Sequence, residues 1–87
     1  MHDMQPKTTN STLRGYIQNS LLGGRIVTDQ DELLLSGMID SLGVMSLVSF
    51  IEEQFQIDIP FEDVTLENFA TVDAMARYIE PRQVGSE

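Results

Sequence analysis

Apolar residues along this chain recur at helical intervals. Leu13, Ile17 and Leu21 repeat every fourth position with Tyr16 beside them, which predicts a first helix. Hydroxyl side chains between Thr9 and Ser11 can cap its start, and Gly23-Gly24 ends it, because glycine accepts the left-handed backbone of a helix terminus. A second stripe of Val44, Leu47, Val48, Ile51 and Phe55 predicts a helix over about residues 41–56. Thr71 caps a last helix with Val72, Met75, Ala76 and Ile79 as its inner stripe, and Pro81 stops it. Between these helices, Ile57-Asp58-Ile59-Pro60 reads as an extended turn, because proline restrains the residue before it. Phe61 to Val64 suits a single helical turn, and Glu67 to Ala70 a short helix. No run alternates as a strand would.

The connection over residues 25–40 is not a polar linker. Leu33, Leu34, Leu35, Met38 and Ile39 all call for burial, so this segment is expected to lie against the helices; connections of such length are often functional. The expected fold is all-α: a small four-helix bundle of three main helices and one short helix, with a long structured loop between helices one and two. Residues 9–80 form the domain, and residues 1–8 and 81–87 are expected to be flexible tails.

At 87 residues the chain makes one small domain. It has no cysteine, which removes disulfides, thiolate nucleophiles and Cys-based metal sites. No stretch is long and apolar enough to span a membrane, and the first ten residues lack the apolar core of a signal peptide, so a cytoplasmic protein is expected. The net charge is −9, and it is unevenly spread. No Lys or Arg lies between Ile26 and Ala76, a span that carries Asp29, Asp31, Glu32, Asp40, Glu52, Glu53, Asp58, Glu62, Asp63, Glu67 and Asp73. Such a field disfavours nucleic acid and anionic membranes and favours basic patches on other proteins.

Catalysis finds little support. A serine nucleophile needs a base and an orienting group, yet the only histidine, His2, and the only lysine, Lys7, lie in the N-terminal tail. Glu52-Glu53 lacks an apolar pocket to raise either pKa. Asp29-Gln30-Asp31-Glu32 lacks the glycine and the distal glutamate of a calcium loop, and no metal site is expected. The most informative stretch is Asp40-Ser41-Leu42. Asp40 or Ser41 can cap the second helix, and a serine at that helix start holds its hydroxyl at the rim, where backbone N–H groups and the helix dipole favour a phosphate. Leu42 and Met45 fall outside the core stripe and line up with Ser49 and Glu52. Either they form the greasy centre of a docking surface rimmed by acids, or the long loop covers them.

Gly37-Met38-Ile39-Asp40-Ser41-Leu42 resembles the attachment motif of acyl carrier proteins and their peptidyl and aminoacyl relatives. The resemblance continues through Glu52-Glu53-Gln54-Phe55, Ile57-Asp58-Ile59-Pro60, Phe61-Glu62-Asp63, Asn68-Phe69-Ala70-Thr71-Val72 and Tyr78-Ile79. It implies a small four-helix bundle that is a carrier and not an enzyme. It implies a 4′-phosphopantetheine arm, moved from coenzyme A onto Ser41 by a phosphopantetheinyl transferase. The thiol of the arm would hold acyl or aminoacyl groups as thioesters. Asp40 would position the helix start and help dock the transferase. Leu42 and Met45 would form an apolar patch, and Glu52 and Glu53 an acidic rim, for the transferase, a loading ligase and downstream enzymes with basic patches. A monomer is expected, and chain length favours a free-standing carrier, although a module excised from a synthase would look the same. An unmodified acidic adaptor for a basic protein would use the same face.

Fatty-acid-synthesis carriers typically have a small residue before Asp-Ser and an acid shortly after; here those places hold Ile39 and Gly43, and Ser46 stands where a Glu is common. The resemblance is therefore closer to peptidyl, aryl or D-alanyl carriers. Gly43 weakens the helix by about 1 kcal/mol relative to alanine, and its bare backbone would let a partner or the arm come close.

Overall fold

The computed structural model describes residues 8–83. The expectations for residues 1–7, with His2 and Lys7, and for residues 84–87 lie outside the described residues. Helix α1, Thr9–Tyr16, starts within the expected stretch, but its cap lies one residue earlier than the hydroxyl run suggested. Thr8, assigned from sequence to the tail, is its N-cap: Ser11 N–H donates to Thr8 Oγ1 at 3.0 Å, and Thr8 N–H donates to Ser11 Oγ at 3.1 Å. This reciprocal pair satisfies two donors that a helix start would leave exposed. The helix widens into a π turn over Ile17–Leu21, closed by Leu22 N–H on the Ile17 carbonyl at 2.9 Å. Gly23 and Gly24 then adopt φ of 63° and 95° and release the chain.

Residues 22–40 contain turns and bends without a helix, and they are tied down at several points. Val27, Leu33 and Ile39 join the core at 3%, 0% and 4% exposure. Leu33 N–H donates to the Ala70 carbonyl at 2.8 Å, and Asp73 N–H to the Asp29 carbonyl at 3.0 Å. Asn10 Nδ2 donates to both Asp29 Oδ2 at 3.0 Å and Asp73 Oδ1 at 2.9 Å, while Arg14 pairs with Asp29. One carboxylate pair thus joins α1, the connection and the start of the last helix. The expected burial of the apolar run is only partly met. Leu34 and Met38 are half-buried, and Leu35 is exposed at 75%. Ile39 N–H donates to the Leu33 carbonyl at 3.0 Å, so these two core residues close a turn and Leu35 sits at its outer tip.

Helix α2, Ser41–Phe55, buries Leu47, Val48 and Ile51, with Val44 and Phe55 partly covered. Phe50 stacks on Tyr16 of α1 with ring centroids 4.1 Å apart. The helix ends at Gln56, whose left-handed φ of 58° turns the chain. A 3₁₀ turn, Phe61–Asp63, leads to the short helix α3, Leu66–Phe69, capped by Thr65. Thr71 caps α4, Val72–Ile79, and accepts from Ala74 N–H at 3.0 Å. Helix α4 is the core of the bundle: besides Val72, Met75, Ala76 and Ile79, it buries Ala74 and Tyr78. Pro81 ends the α-helix within a 3₁₀ turn, Glu80–Arg82, so the start of the expected C-terminal tail continues the helix. Among the described residues there is no strand.

Tyr78 holds the 3₁₀ turn and α3 onto α4. Its hydroxyl donates to Asp63 Oδ2 at 2.6 Å, and Asn68 Nδ2 donates to the Asp63 carbonyl at 2.9 Å. The Arg82 guanidinium lies 3.8 Å above the Tyr78 ring and donates to the Tyr78 carbonyl at 2.8 Å. Burial, with help from the Asp63 hydrogen bond, pushes the phenol above its ordinary pKa of 10.0.

Two predictions follow from this packing. Leu33→Ala costs about 2–5 kcal/mol in urea unfolding, as for a core helix residue, whereas Leu35→Ala stays within about 0.5 kcal/mol of wild type. Tyr78→Phe costs about 1 kcal/mol at neutral pH. Because the folded-state pKa of Tyr78 is raised, its contribution is complete below the unfolded value of about 10 and is lost as pH rises through the folded value. Urea titrations at several alkaline pH values should therefore show the gap between wild type and Tyr78→Phe closing above about pH 10.

Candidate functional site

The site begins where the chain passes from core to surface. Ile39 is buried, Asp40 is extended at φ −90° and ψ −175°, and Ser41 is the exposed first residue of α2. Asp40 is the N-cap. Its Oδ1 accepts from Gly43 N–H at 2.8 Å, and its carbonyl accepts from Val44 N–H at 2.9 Å. Helix geometry leaves the N–H groups of Ser41 and Leu42 without intrahelical acceptors. The serine hydroxyl thus stands beside two outward donors at the positive end of a fifteen-residue helix.

Ser41 also lies on the rim of an open groove of about 420 Å³, walled by Leu34, Val44, Met45, Phe61, Val64 and Leu66. Leu42 and Met45 are exposed at 78% and 48%, so the connection does not cover them. Phe61 at 81% and Leu66 at 48% extend this apolar surface across the groove, and neither stood out in the sequence. Ile57 and Ile59 are buried, and simple alternation would turn Phe61 inward with them. The 3₁₀ turn that begins at Phe61 rotates its ring outward instead. Leu66 sits just after the Thr65 cap, in a helix too short to show a periodic stripe.

The two acids singled out from the sequence have different surroundings. Glu53 is exposed, roughly 18 Å along the helix from Ser41 at 1.5 Å per residue. Glu52 is half-buried, and its Oε2 accepts from Ile59 N–H at 2.8 Å, which fastens the extended turn to the end of α2. No basic side chain lies between Ile26 and Ala76, so neither α2 nor the groove carries one.

Gly43 does have a close neighbour, and it belongs to this chain. A Cβ built on Gly43 would lie 2.8 Å from Ile39 Cγ2. The approach attributed from sequence to a partner or the arm is made, on this side, by the residue preceding the cap.

Among the described residues no cluster of three or more His, Asp or Glu side chains is arranged to hold a metal ion. Among the same residues no helix is long and apolar enough to cross a membrane. An outward hydroxyl at a helix start, beside an open apolar groove, fits a phosphate-linked chain: the helix end favours the phosphate, and the groove walls suit the less polar remainder.

Residues 12–79 match the family described as the phosphopantetheine attachment site. Over 41 residues the chain is 51% identical to the acyl carrier protein of Wolinella succinogenes. That alignment covers 47% of this chain and 51% of the relative, so it spans about half the length of the curated protein it matches. The chain belongs to the phosphopantetheine attachment family, whose members bear a covalently attached 4′-phosphopantetheine.

Proposed function

We propose that Ser41 is the attachment residue and that this protein presents acyl or aminoacyl groups to partner enzymes. The observation that carries the reading is the placement of Ser41: exposed, first in α2, and on the rim of an apolar groove. Ser41 Oγ bonds to the phosphorus that carries the pantetheine in coenzyme A. The phosphoanhydride P–O bond on its far side breaks, and adenosine 3′,5′-bisphosphate leaves. The serine proton passes to a base on the transferase, since the only His and Lys of this chain are His2 and Lys7. When bound, the arm supplies a terminal thiol that holds cargo as a thioester.

The surface around Ser41 suits brief visits by several proteins. Leu42, Met45, Phe61 and Leu66 offer a small apolar contact, while the acidic field attracts basic partners and speeds encounter more than it deepens affinity. In this reading Asp40 positions the helix start and meets the transferase. Glu53 is the outward acid, and Glu52 contributes charge while it holds the following turn. Partners are the transferase, a ligase that loads the thiol, and downstream enzymes with basic docking patches. The departures at Ile39 and Gly43 favour a specialised pathway over primary fatty acid synthesis, and a cytoplasmic setting supplies the coenzyme A.

Incubation of the chain with coenzyme A and a broad-range phosphopantetheinyl transferase should raise its intact mass by about 340 Da. Ser41→Ala should gain nothing. A wild-type chain that stays at its starting mass would point to the unmodified adaptor instead.

A further inference from the structure

Two neighbours of Ser41 that look like unrelated substitutions form one packing unit. Gly43 occupies the first turn of α2, where glycine weakens a helix relative to alanine. A Cβ there would lie 2.8 Å from Ile39 Cγ2, 3.4 Å from Asp40 Oδ1 and 3.9 Å from Ile39 Cβ. Carbon atoms pack best at about 3.5–4.0 Å, so the first of these contacts cannot persist without movement. Ile39 has little freedom to move: its side chain is 4% exposed within the core cluster, and its N–H is held by the Leu33 carbonyl at 3.0 Å. On the other side, the N–H of Gly43 is held by the Asp40 carboxylate at 2.8 Å. Ile39 therefore rests on the bare backbone of Gly43, and Asp40 bonds to that same backbone. Ser41 lies between the two contacts.

A hydrophobic residue just before a cap often packs on the first turn and fixes the angle at which the chain enters the helix. Here the fit is closer than usual, because a methyl group fills the place of a missing side chain. A side chain at position 43 must displace Ile39 or tilt the first turn, and because Ile39 is held in the core, the turn that bears the Ser41 hydroxyl is the part left to move.

We propose that Ile39 and Gly43 are matched positioning residues that set where the Ser41 hydroxyl is offered to the transferase; the proposal rests on the assignment of Ser41 as the attachment residue. The pair accounts for both departures around the motif with one contact. A β-branched residue before Asp-Ser requires glycine at position 43, and a side chain at 43 requires a residue without that γ2 methyl at 39. Ile39→Leu removes the γ2 methyl while it keeps the side-chain volume.

The test is a double-mutant cycle on the full chain, with coenzyme A and a broad-range transferase. Arm transfer is followed by intact mass, and thermal unfolding is measured alongside. Gly43→Ala should lower kcat about tenfold with little change in the KM for coenzyme A, because a displaced nucleophile slows the chemical step. Ile39→Leu should remain within about threefold of wild type, and adding it to Gly43→Ala should restore the rate to within about threefold, as coupling through direct contact requires. A Gly43→Ala chain modified at the wild-type rate overturns the proposal, as does a double variant no faster than Gly43→Ala. Should Gly43→Ala fail to fold, a folded double variant with near-normal transfer supports the pairing, and one that is slow or unfolded overturns it. Transfer to Ser41→Ala would instead contradict the attachment assignment, whereas normal transfer to Ser41 with uncoupled variants removes the pairing alone.

Discussion

The burial of Ile39 is the constraint on which the site depends. Within two residues the chain passes from a core side chain at position 39 to an exposed hydroxyl at position 41. Asp40 makes that passage in an extended conformation and fixes it by capping Gly43. A backbone reversal of this kind is rigid only when both sides are held. The inner side is held by apolar packing and by the Leu33 carbonyl, and the outer side by the cap. The connection over residues 22–40 thus does more than join two helices. Its bonds to Ala70 and Asp73, and the Asn10 bridge between Asp29 and Asp73, tie the anchor at Ile39 to α4 and α1.

Much of this was legible in the sequence because it depends on local rules. The inner stripe of α4, the Thr71 cap, the glycine exit of the first helix and the outward placement of Ser41 all follow from period and capping chemistry. The features that escaped depend on contacts between distant elements. Leu35 looks as apolar as Leu33, but the turn closed between Leu33 and Ile39 leaves it at the tip. Glu52 looks like a surface acid, and nothing local reveals that Ile59 N–H returns to it. The stack of Tyr16 on Phe50 joins two helices across a long connection. Phe61 was hidden by its phase: its neighbours alternate like a buried extended segment until the 3₁₀ turn changes direction. Gly43 was visible as an anomaly, but its partner Ile39 was read as a separate one.

In the proposed carrier role, the groove and the charge act together. The inner wall of the groove comes from α2, while its far wall comes from the 3₁₀ turn and α3, pieces too short to hold themselves in place. Tyr78 supplies that hold through Asp63, with Arg82 stacked over the ring. The described cations Arg14, Arg25, Arg77 and Arg82 all lie outside the span from Ile26 to Ala76, which leaves α2 and the groove to the acids. Apolar contact gives a partner something to grip, and unopposed negative charge brings it quickly without holding it long.

The most direct measurement is the location of the arm on the protein isolated from its own cells, by fragmentation mass spectrometry. Ser20, Ser36, Ser46 and Ser49 are also exposed, so these serines compete on equal terms of access, and among the described serines only Ser41 combines a helix start with the rim of the apolar groove. The account predicts phosphopantetheine on Ser41 and on no other serine. An arm on any of the others, or a chain that carries none, would contradict it.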